Sequence, residues 1–275
     1  MNTWLHSRFL PKNLPVVATI HHSVHDPALR PYKGFVRAAY HHGWIAPNER
    51  RVLRRASRIV AVSHFVAETA RKSLLDVPMD VIYNGVDTEQ FQPSARRRLP
   101  SEPFRLLYAG TWMARKGVDL LAPIMRALGD GFELRYTGGE AAAADKKNMP
   151  ANMCDIGRLR GADAVIAALH DADALLFPSR SEGFGLVAAE AMACGLPVIA
   201  TRGSSLVEVV EDGVTGVLCA RDDVTSFAVA SRRIRDDDLV YQAMVQAARD
   251  RAIKQFSEKK MLDAYLRVWV EATGT

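Results

Sequence analysis

The sequence predicts an α/β protein of two open, doubly wound parallel-sheet domains, the first of them incomplete. Three observations lead there. Short apolar runs alternate with helix-length segments through most of the 275 residues, an order that favours parallel strands covered by helices. One stretch, FQPSARRRLPSEP at 91–103, breaks every periodicity with Pro, Ser and Arg and marks a boundary. The strand and helix units on its two sides are unequal in number.

In chain order, residues 15–20 (PVVATI) read as a buried strand ending in His21-His22-Ser23. Residues 45–56 are helical and Arg-rich, and 58–62 (RIVAV) is a second strand. Ser63 after it is placed to cap the helix 65–74. A third strand, 79–83, closes on Asn84-Gly85. Beyond the boundary come strand 104–109, loop 110–117, helix 118–128 and strand 132–137. An exposed, mobile connection at 141–150 leads to a short strand at 153–156 and the helix 162–170. Then follow strand 174–177, a glycine loop, the apolar helix 186–193, and strands 198–200 and 216–219. The rest is helical, at 225–252 and 257–272, with Ser257 as cap. The expected layout is a partial first domain (1–92), a linker (93–103), a complete second domain (104–252) and a C-terminal helix (253–275). A complete first domain needs about three more strand–helix units at roughly 30 residues each. It therefore reads as truncated: a fragment, a mis-assigned start, or a short protein whose sheet edge a partner covers.

A hydrophobic content of 48% is enough for two cores. No apolar run is long enough to cross a bilayer, and MNTWLHSRFLPKNLP lacks the basic-then-apolar plan of a signal peptide, so the expected location is cytoplasmic. Cys154, Cys194 and Cys219 lack C-x-x-C spacing and read as reduced structural thiols. The net charge of +5 is concentrated in Arg50, Arg51, Arg54, Arg55 and Arg58 and in Arg96, Arg97 and Arg98. Such clusters suit an anionic membrane surface or phosphorylated substrates, or else a solvated helix face and a disordered linker. Nothing resembles an aromatic-interleaved nucleic-acid platform.

Three segments at strand ends can carry chemistry, because ligands of open α/β sheets bind beyond the carboxyl ends of strands. Gly110 to Gly117 (GTWMARKG) brings Arg115 and Lys116 to a strand end, two cations that suit a diphosphate or a solvated loop. In SEGFG, Gly183 and Gly185 let backbone approach a ligand, and the amides of Phe184, Gly185, Leu186 and Val187 stand at a helix start. Glu190 is the one charge in that apolar helix, and its Cβ tilts back toward the helix N-terminus. With Glu182 it suits recognition of hydroxyls, since an ionised carboxylate accepts two hydrogen bonds from a vicinal diol. The structural alternative is a Glu190 paired with an arginine and a Glu182 that caps the loop. In the third segment, His21, His22, His25 and Asp26 lack the further acids of a metal site, and one histidine facing a cleft is the better reading.

PSRSEGFGLVAAEAMACGLPVIAT, followed by Glu208-Val209-Val210 and Gly213-Val214-Thr215-Gly216, resembles the group 1 (family 4 type) retaining nucleotide-sugar glycosyltransferases of the GT-B fold, with two Rossmann-like domains. Glu182 and Glu190 match their E-x₇-E signature. TWMARKG is similar to their phosphate loop, RIVAVSHFVAE to their AVS strand and helix, and VIYNGVDTEQFQP to the NGVD segment. The resemblance implies a hexosyltransferase that needs no metal or other cofactor, with a nucleotide-sugar donor and a glycan or lipid-linked acceptor. It implies that Gly110 belongs to the donor loop, Arg115 and Lys116 neutralise the diphosphate, and amides from Gly183 through Leu186 and Val187 bind phosphate and sugar. Glu182 then holds hydroxyls of the hexose, Glu190 the ribose diol, and His21, or its neighbour His22, approaches the sugar. The catalytic set is His21, Glu182 and Lys116, and the last helix, around Tyr265 and Trp269, crosses back to the first domain.

The sequence departs from that pattern at Thr111, where many members carry arginine, at Ser204-Ser205, and in lacking the Gly-rich loop that opens the family's first domain. A nucleotide-sugar-binding remnant without turnover, or one that needs a partner chain, is one competing expectation; a GT-B nucleotide-sugar epimerase is another, disfavoured by the transferase-type match at Glu182 and Glu190. A peripheral membrane contact and an oligomer are the further partners expected.

Overall fold

The computed structural model describes residues 3, 7–22, 25–32, 34–94 and 103–274. Of the expected linker, residues 95–102, with Arg96, Arg97 and Arg98, lie outside the described residues. The chain forms two compact units. One takes in Met1–Gly85, Ser181–Phe184 and Glu258–Thr275, the other Val86–Arg180 and Gly185–Ser257.

The first unit begins with β1 (Val17–Ile20), then α1 (Phe35–Tyr40), a π-helical stretch His41–Ile45 and α2 (Ala46–Arg55). After these come β2 (Arg58–Ala61), α3 (His64–Ser73) and β3 (Asp80–Val81). The strands are parallel in the order β1-β2-β3, with Ile20 beside Ala61 and Val60 beside Asp80. Ala18, Ile20, Val60 and Ala61 are all buried, as expected of strands covered on both faces. Ser63 is extended, and its hydroxyl accepts the Val66 N–H at 3.1 Å, capping α3 as its sequence position predicts. Two expectations are corrected here. Helix begins ten residues before the predicted start, at Phe35, and the third strand is only two residues long.

The second unit is a complete doubly wound domain. In order it holds β4 (Phe104–Tyr108), α4 (Val118–Leu128), β5 (Phe132–Tyr136), β6 (Met153–Asp155), α5 (Gly161–His170) and β7 (Ala174–Phe177). It continues with α6 (Leu186–Ala193), β8 (Val198–Thr201), α7 (Leu206–Val209), β9 (Gly216–Cys219), α8 (Val224–Asp236) and α9 (Asp238–Phe256). All six strands are parallel, in the order β6-β5-β4-β7-β8-β9. The winding direction reverses between β4 and β7, and such a switch point opens a crevice at the carboxyl ends of the two strands.

Periodic apolar faces build the core beneath that crevice. Helix α4 buries Leu120, Leu121, Ile124, Met125 and Leu128, and α9 buries Tyr241, Met244, Val245, Ala248, Ala252 and Phe256. Phe104, Phe132 and Tyr241 meet edge-to-face at the centre. Each fully buried side chain of this size contributes about 1.5–3 kcal/mol of hydrophobic stabilisation. The alanines of α6 let α9 pack close, and Arg249 of α9 donates to the Ala193 carbonyl at the end of α6 (2.7 Å) and to Phe91 and Thr88 carbonyls.

The segment expected as a mobile connection instead forms two 3₁₀ turns, Gly139–Ala142 and Lys146–Asn148. Ala142 is buried, the Trp112 indole donates to Asp145 (2.8 Å), and Lys146 pairs with Asp155 (2.7 Å). The expected helix 225–252 is two helices, broken where Asp237 turns extended and caps Val240. The last helix, α10 (Glu258–Thr273), belongs to the first unit, where Met261, Ala264, Tyr265 and Val268 pack with Val60 and Ile82. Cys194 and Cys219 are buried free thiols whose pKa burial pushes up to about 12, and Cys154 is free and exposed on β6. Among the described residues, no helix is long and apolar enough to cross a membrane.

Candidate functional site

The switch point of the second unit is flanked by the loops after β4 and β7. Gly110, second in the β4 loop, is not free to bind an anion through its amide. Its N–H donates to the Thr137 hydroxyl (2.9 Å), which in turn donates to the Gly110 carbonyl. Arg115 and Lys116 sit on a short 3₁₀ turn, Ala114–Lys116, and the Lys116 ammonium lies 5.9 Å from the Phe177 ring centroid. Gly117 ends the turn at φ 74, a left-handed conformation that costs any other residue about 1–2 kcal/mol. A Cβ at Gly117 would also overlap the Pro178 carbonyl, so only glycine lets the two loops lie this close.

Beyond β7, the guanidinium of Arg180 is buried and holds both oxygens of Asp119, at 2.6 and 2.7 Å, and Asp222 at 2.5 Å. Gly185 at φ 94 starts α6. Among the described residues, the N–H groups of Gly185, Leu186 and Val187 have no protein acceptor, while Ala188 already bonds back to Gly185. These free amides and the helix dipole make a local anion-attracting surface.

One turn further on, Glu190 and Val187 face a cavity of about 510 Å³, which Gly110, Thr137, Gly138 and Arg158 also line. Burial raises the Glu190 carboxyl above the ordinary carboxylate value, and among the described residues no hydrogen bond or ion pair offsets it. The structural alternative, an arginine partner, is therefore not what this residue has. A partly buried carboxylate without a partner is costly unless a ligand supplies the donors.

The short loop Ser181–Phe184 is built into the first unit. Glu182 is only 7% exposed. Gly183 lies directly on the backbone of His21, where a Cβ would overlap the His21 carbonyl, and the Ser63 hydroxyl donates to the Gly183 carbonyl at 2.7 Å. The Phe184 ring packs against Tyr83 with centroids 5.8 Å apart. The His21 side chain is exposed enough to meet a ligand, and partial burial lowers its pKa. His25 is committed elsewhere, at 2.9 Å from the buried Glu49. Among the described residues no group of three His, Cys, Asp or Glu could hold a metal ion.

Each unit thus gathers its own set of the predicted residues: Gly110, Arg115, Lys116, Leu186, Val187 and Glu190 in the second, His21, Glu182, Gly183 and Phe184 in the first. Three residues escaped the sequence. Arg180 looks like any polar loop residue, Arg158 like part of a turn, and Ser63 was assigned its cap but not its bond to Gly183. The spacing signal was present only for Ser63.

A model of the family described as Glycosyl transferases group 1 matches residues 90–251, and one described as Glycosyltransferase Family 4 matches residues 2–90. Glycogen synthase of Mycobacterium tuberculosis is 36% identical over 202 residues, 70% of this chain and 48% of that protein. D-inositol 3-phosphate glycosyltransferase of Saccharomonospora viridis is 30% identical over 252 residues, 82% of this chain and 58% of that one. The chain spans about half the length of the curated relatives it matches. Among solved structures, sucrose-phosphate synthase from Thermosynechococcus elongatus superposes with a TM-score of 0.79 at 23% identity, over 93% of this chain and 67% of that one. Anabaena Alr3699/HepE in complex with UDP and glucose gives 0.76 at 19% identity, over 94% and 72%. These structures share the fold, and the family matches together cover nearly the whole sequence. The chain belongs to the group 1 glycosyl transferases, with the GT-B type of architecture.

Proposed function

We propose that the protein is a retaining glycosyltransferase that moves a hexose from a nucleoside-diphosphate sugar to a glycan or lipid-linked acceptor. The observation that carries this reading is Glu190: a carboxylate that has no protein partner among the described residues, in a cavity at the switch point, on a helix whose first amides are likewise unpaired among those residues. A ribose diol supplies the two donors that Glu190 lacks, and a diphosphate suits the amides together with Arg115 and Lys116. Arg158 is then placed toward the base, on the same cavity. Glu182 takes hydroxyls of the transferred sugar, and His21 approaches it with an imidazole whose lowered pKa keeps it neutral near pH 7.

The chemistry follows from where charge develops. As the glycosidic C–O bond breaks, negative charge builds on the leaving phosphate, where two cations and a helix N-terminus stabilise it without a metal. The acceptor hydroxyl attacks from the face the phosphate leaves, and the departing phosphate takes its proton. Configuration is retained with no nucleophile from the protein. A cytoplasmic site at the inner face of a membrane fits the reading, since Arg50, Arg51, Arg54 and Arg55 have no carboxylate partner among the described residues. An oligomer fits it as well.

The test is Glu182→Ala, assayed with UDP- and GDP-hexoses for hydrolysis and for transfer to glycan and lipid acceptors. Loss of turnover with the nucleoside diphosphate still bound is expected; turnover equal to that of the unaltered protein sinks the assignment. Tight UDP or GDP binding by the unaltered chain, with no turnover on any acceptor, would mark a nucleotide-sugar-binding remnant instead.

A further inference from the structure

The turn that carries Arg115 and Lys116 is closed by the Lys116 N–H on the Met113 carbonyl (2.8 Å) and the Gly117 N–H on the Ala114 carbonyl (2.9 Å). It is three residues long, buries none of them, and is exposed at Met113 and Ala114. Further bonds reach it from Arg180, 66 positions beyond Ala114 in sequence. The Arg180 backbone N–H donates to the Arg115 carbonyl at 3.0 Å. Its guanidinium donates to the Ala114 carbonyl, forks onto Asp119 at the start of α4, and reaches Asp222 in the turn after β9. The side chain is 7% exposed. Asp222 itself is held at φ 62, left-handed for a non-glycine residue, with its carboxylate on the arginine. One buried cation thus joins the 114–115 turn, α4 and the β9–α8 turn.

The charge balance separates Arg180 from Arg115 and Lys116. Two carboxylates surround the Arg180 guanidinium and Arg221 lies 3.8 Å from Asp222, so the cluster is neutral overall and has no net positive charge to lend to a phosphate. Ion networks that bury a guanidinium in this way give little net stability compared with apolar packing. What they do supply is geometry, because a planar five-donor fork accepts only one arrangement of its partners.

We propose that Arg180 is a positioning residue of the diphosphate site, which touches no ligand and presets the 114–116 turn so that Arg115 and Lys116 present their charges at the end of β4. The inference rests on the reading that these two cations take the diphosphate. Lysine cannot replace arginine here: a point charge with three donors does not span two carboxylates and a carbonyl.

The experiment is calorimetry on the full chain with UDP, GDP, uridine and guanosine as probes. It uses Arg180→Lys, Asp222→Asn, the triple variant Arg180→Met with Asp119→Asn and Asp222→Asn, in which all three of these side chains are uncharged, and Lys116→Ala as reference. Arg180→Lys is expected to weaken the nucleoside diphosphate about tenfold or more and the nucleoside less than about twofold. Asp222→Asn, at a half-exposed side chain where folding is not at risk, is expected to weaken the diphosphate about three- to fivefold with the same selectivity. The triple variant, uncharged at these three positions but without the fork, is expected not to recover. Equal losses for nucleoside and diphosphate, or recovery in the triple variant, would overturn positioning in favour of general stability or of charge. If Lys116→Ala weakens the diphosphate while Arg180→Lys and Asp222→Asn do not, this inference alone falls. If Lys116→Ala has no effect, the diphosphate reading falls and takes the inference with it.

Discussion

Replacing Glu190 with glutamine separates what the residue does for a ligand from what it costs the fold. Two hydrogen bonds from a ribose diol to an ionised carboxylate are each worth about 1.5–3 kcal/mol, and an uncharged amide oxygen recovers part of one. The expected loss is about 2–5 kcal/mol, or roughly 30- to 5,000-fold in UDP or GDP affinity. A double-mutant cycle with 2′,3′-dideoxy nucleotides measures it: the unaltered protein should lose affinity for the dideoxy ligand, and Glu190→Gln should be nearly indifferent to the change. The stability effect has the opposite sign. Burial raises the folded-state pKa of Glu190 above its unfolded value, so the folded state binds the proton more tightly and stability falls as pH rises through that window. Glutamine carries no charge to desolvate. Glu190→Gln should therefore melt higher than the unaltered protein at pH 7, with the gap closing as the pH drops toward about 4, where both forms are neutral. A variant that binds UDP and its dideoxy analogue as the unaltered protein does, or that melts lower at pH 7, would refute the reasoning.

Two further outcomes follow from backbone geometry. Gly117→Ala forces a left-handed alanine and a clash with the Pro178 carbonyl. It should lower the melting temperature by the equivalent of at least about 1–2 kcal/mol and weaken nucleoside diphosphates beyond that, read by calorimetry; a variant with unchanged Tm and affinity would show that the two loops need not lie close. Asp155 accepts the N–H groups of Gly138, Gly139 and Gly157 and pairs with Lys146. Burial alone would raise its pKa, but those donors hold it well below the carboxylate range. Its contribution is present above about pH 4 and is lost as the pH falls toward that depressed value, so the deficit of Asp155→Ala in urea unfolding should be full at pH 7 and shrink below pH 4. A deficit that does not change with pH would assign the effect to packing instead.

Where local chemistry and tertiary packing agree, the elements were legible. Helix α4 starts and stops where Gly117 and Gly129 frame its apolar face, and α6 lies where Gly185 and Cys194-Gly195 frame LVAAEAMA. Where they diverge, the reading slipped. Residues 79–83 look like a strand because Met79 and Ile82 are apolar, yet they are buried as a coil around a two-residue pairing with β2. The break between α8 and α9 was hidden in Asp236-Asp237-Asp238, three residues of one type of which only Asp237 adopts the extended cap. Helix before Ile45 was missed because Phe35, Val36, Tyr40 and Trp44 are apolar and exposed, so no buried face imposes a period. At the site, Glu190 could be aimed from helix geometry alone, since a Cβ direction is local. Arg180 could not, because its carboxylates come from 61 residues before it and 42 after, a convergence only the folded sheet creates.

The thiols have a practical corollary. With Cys194 and Cys219 enclosed in the core and held protonated, Cys154 is the one cysteine open to an electrophile. It sits next to Asp155, the acceptor that gathers the Gly138-Gly139 amides at the cavity wall. A fluorophore placed there by simple alkylation, without mutagenesis, gives a real-time test of the proposed entry of nucleotide into the second unit.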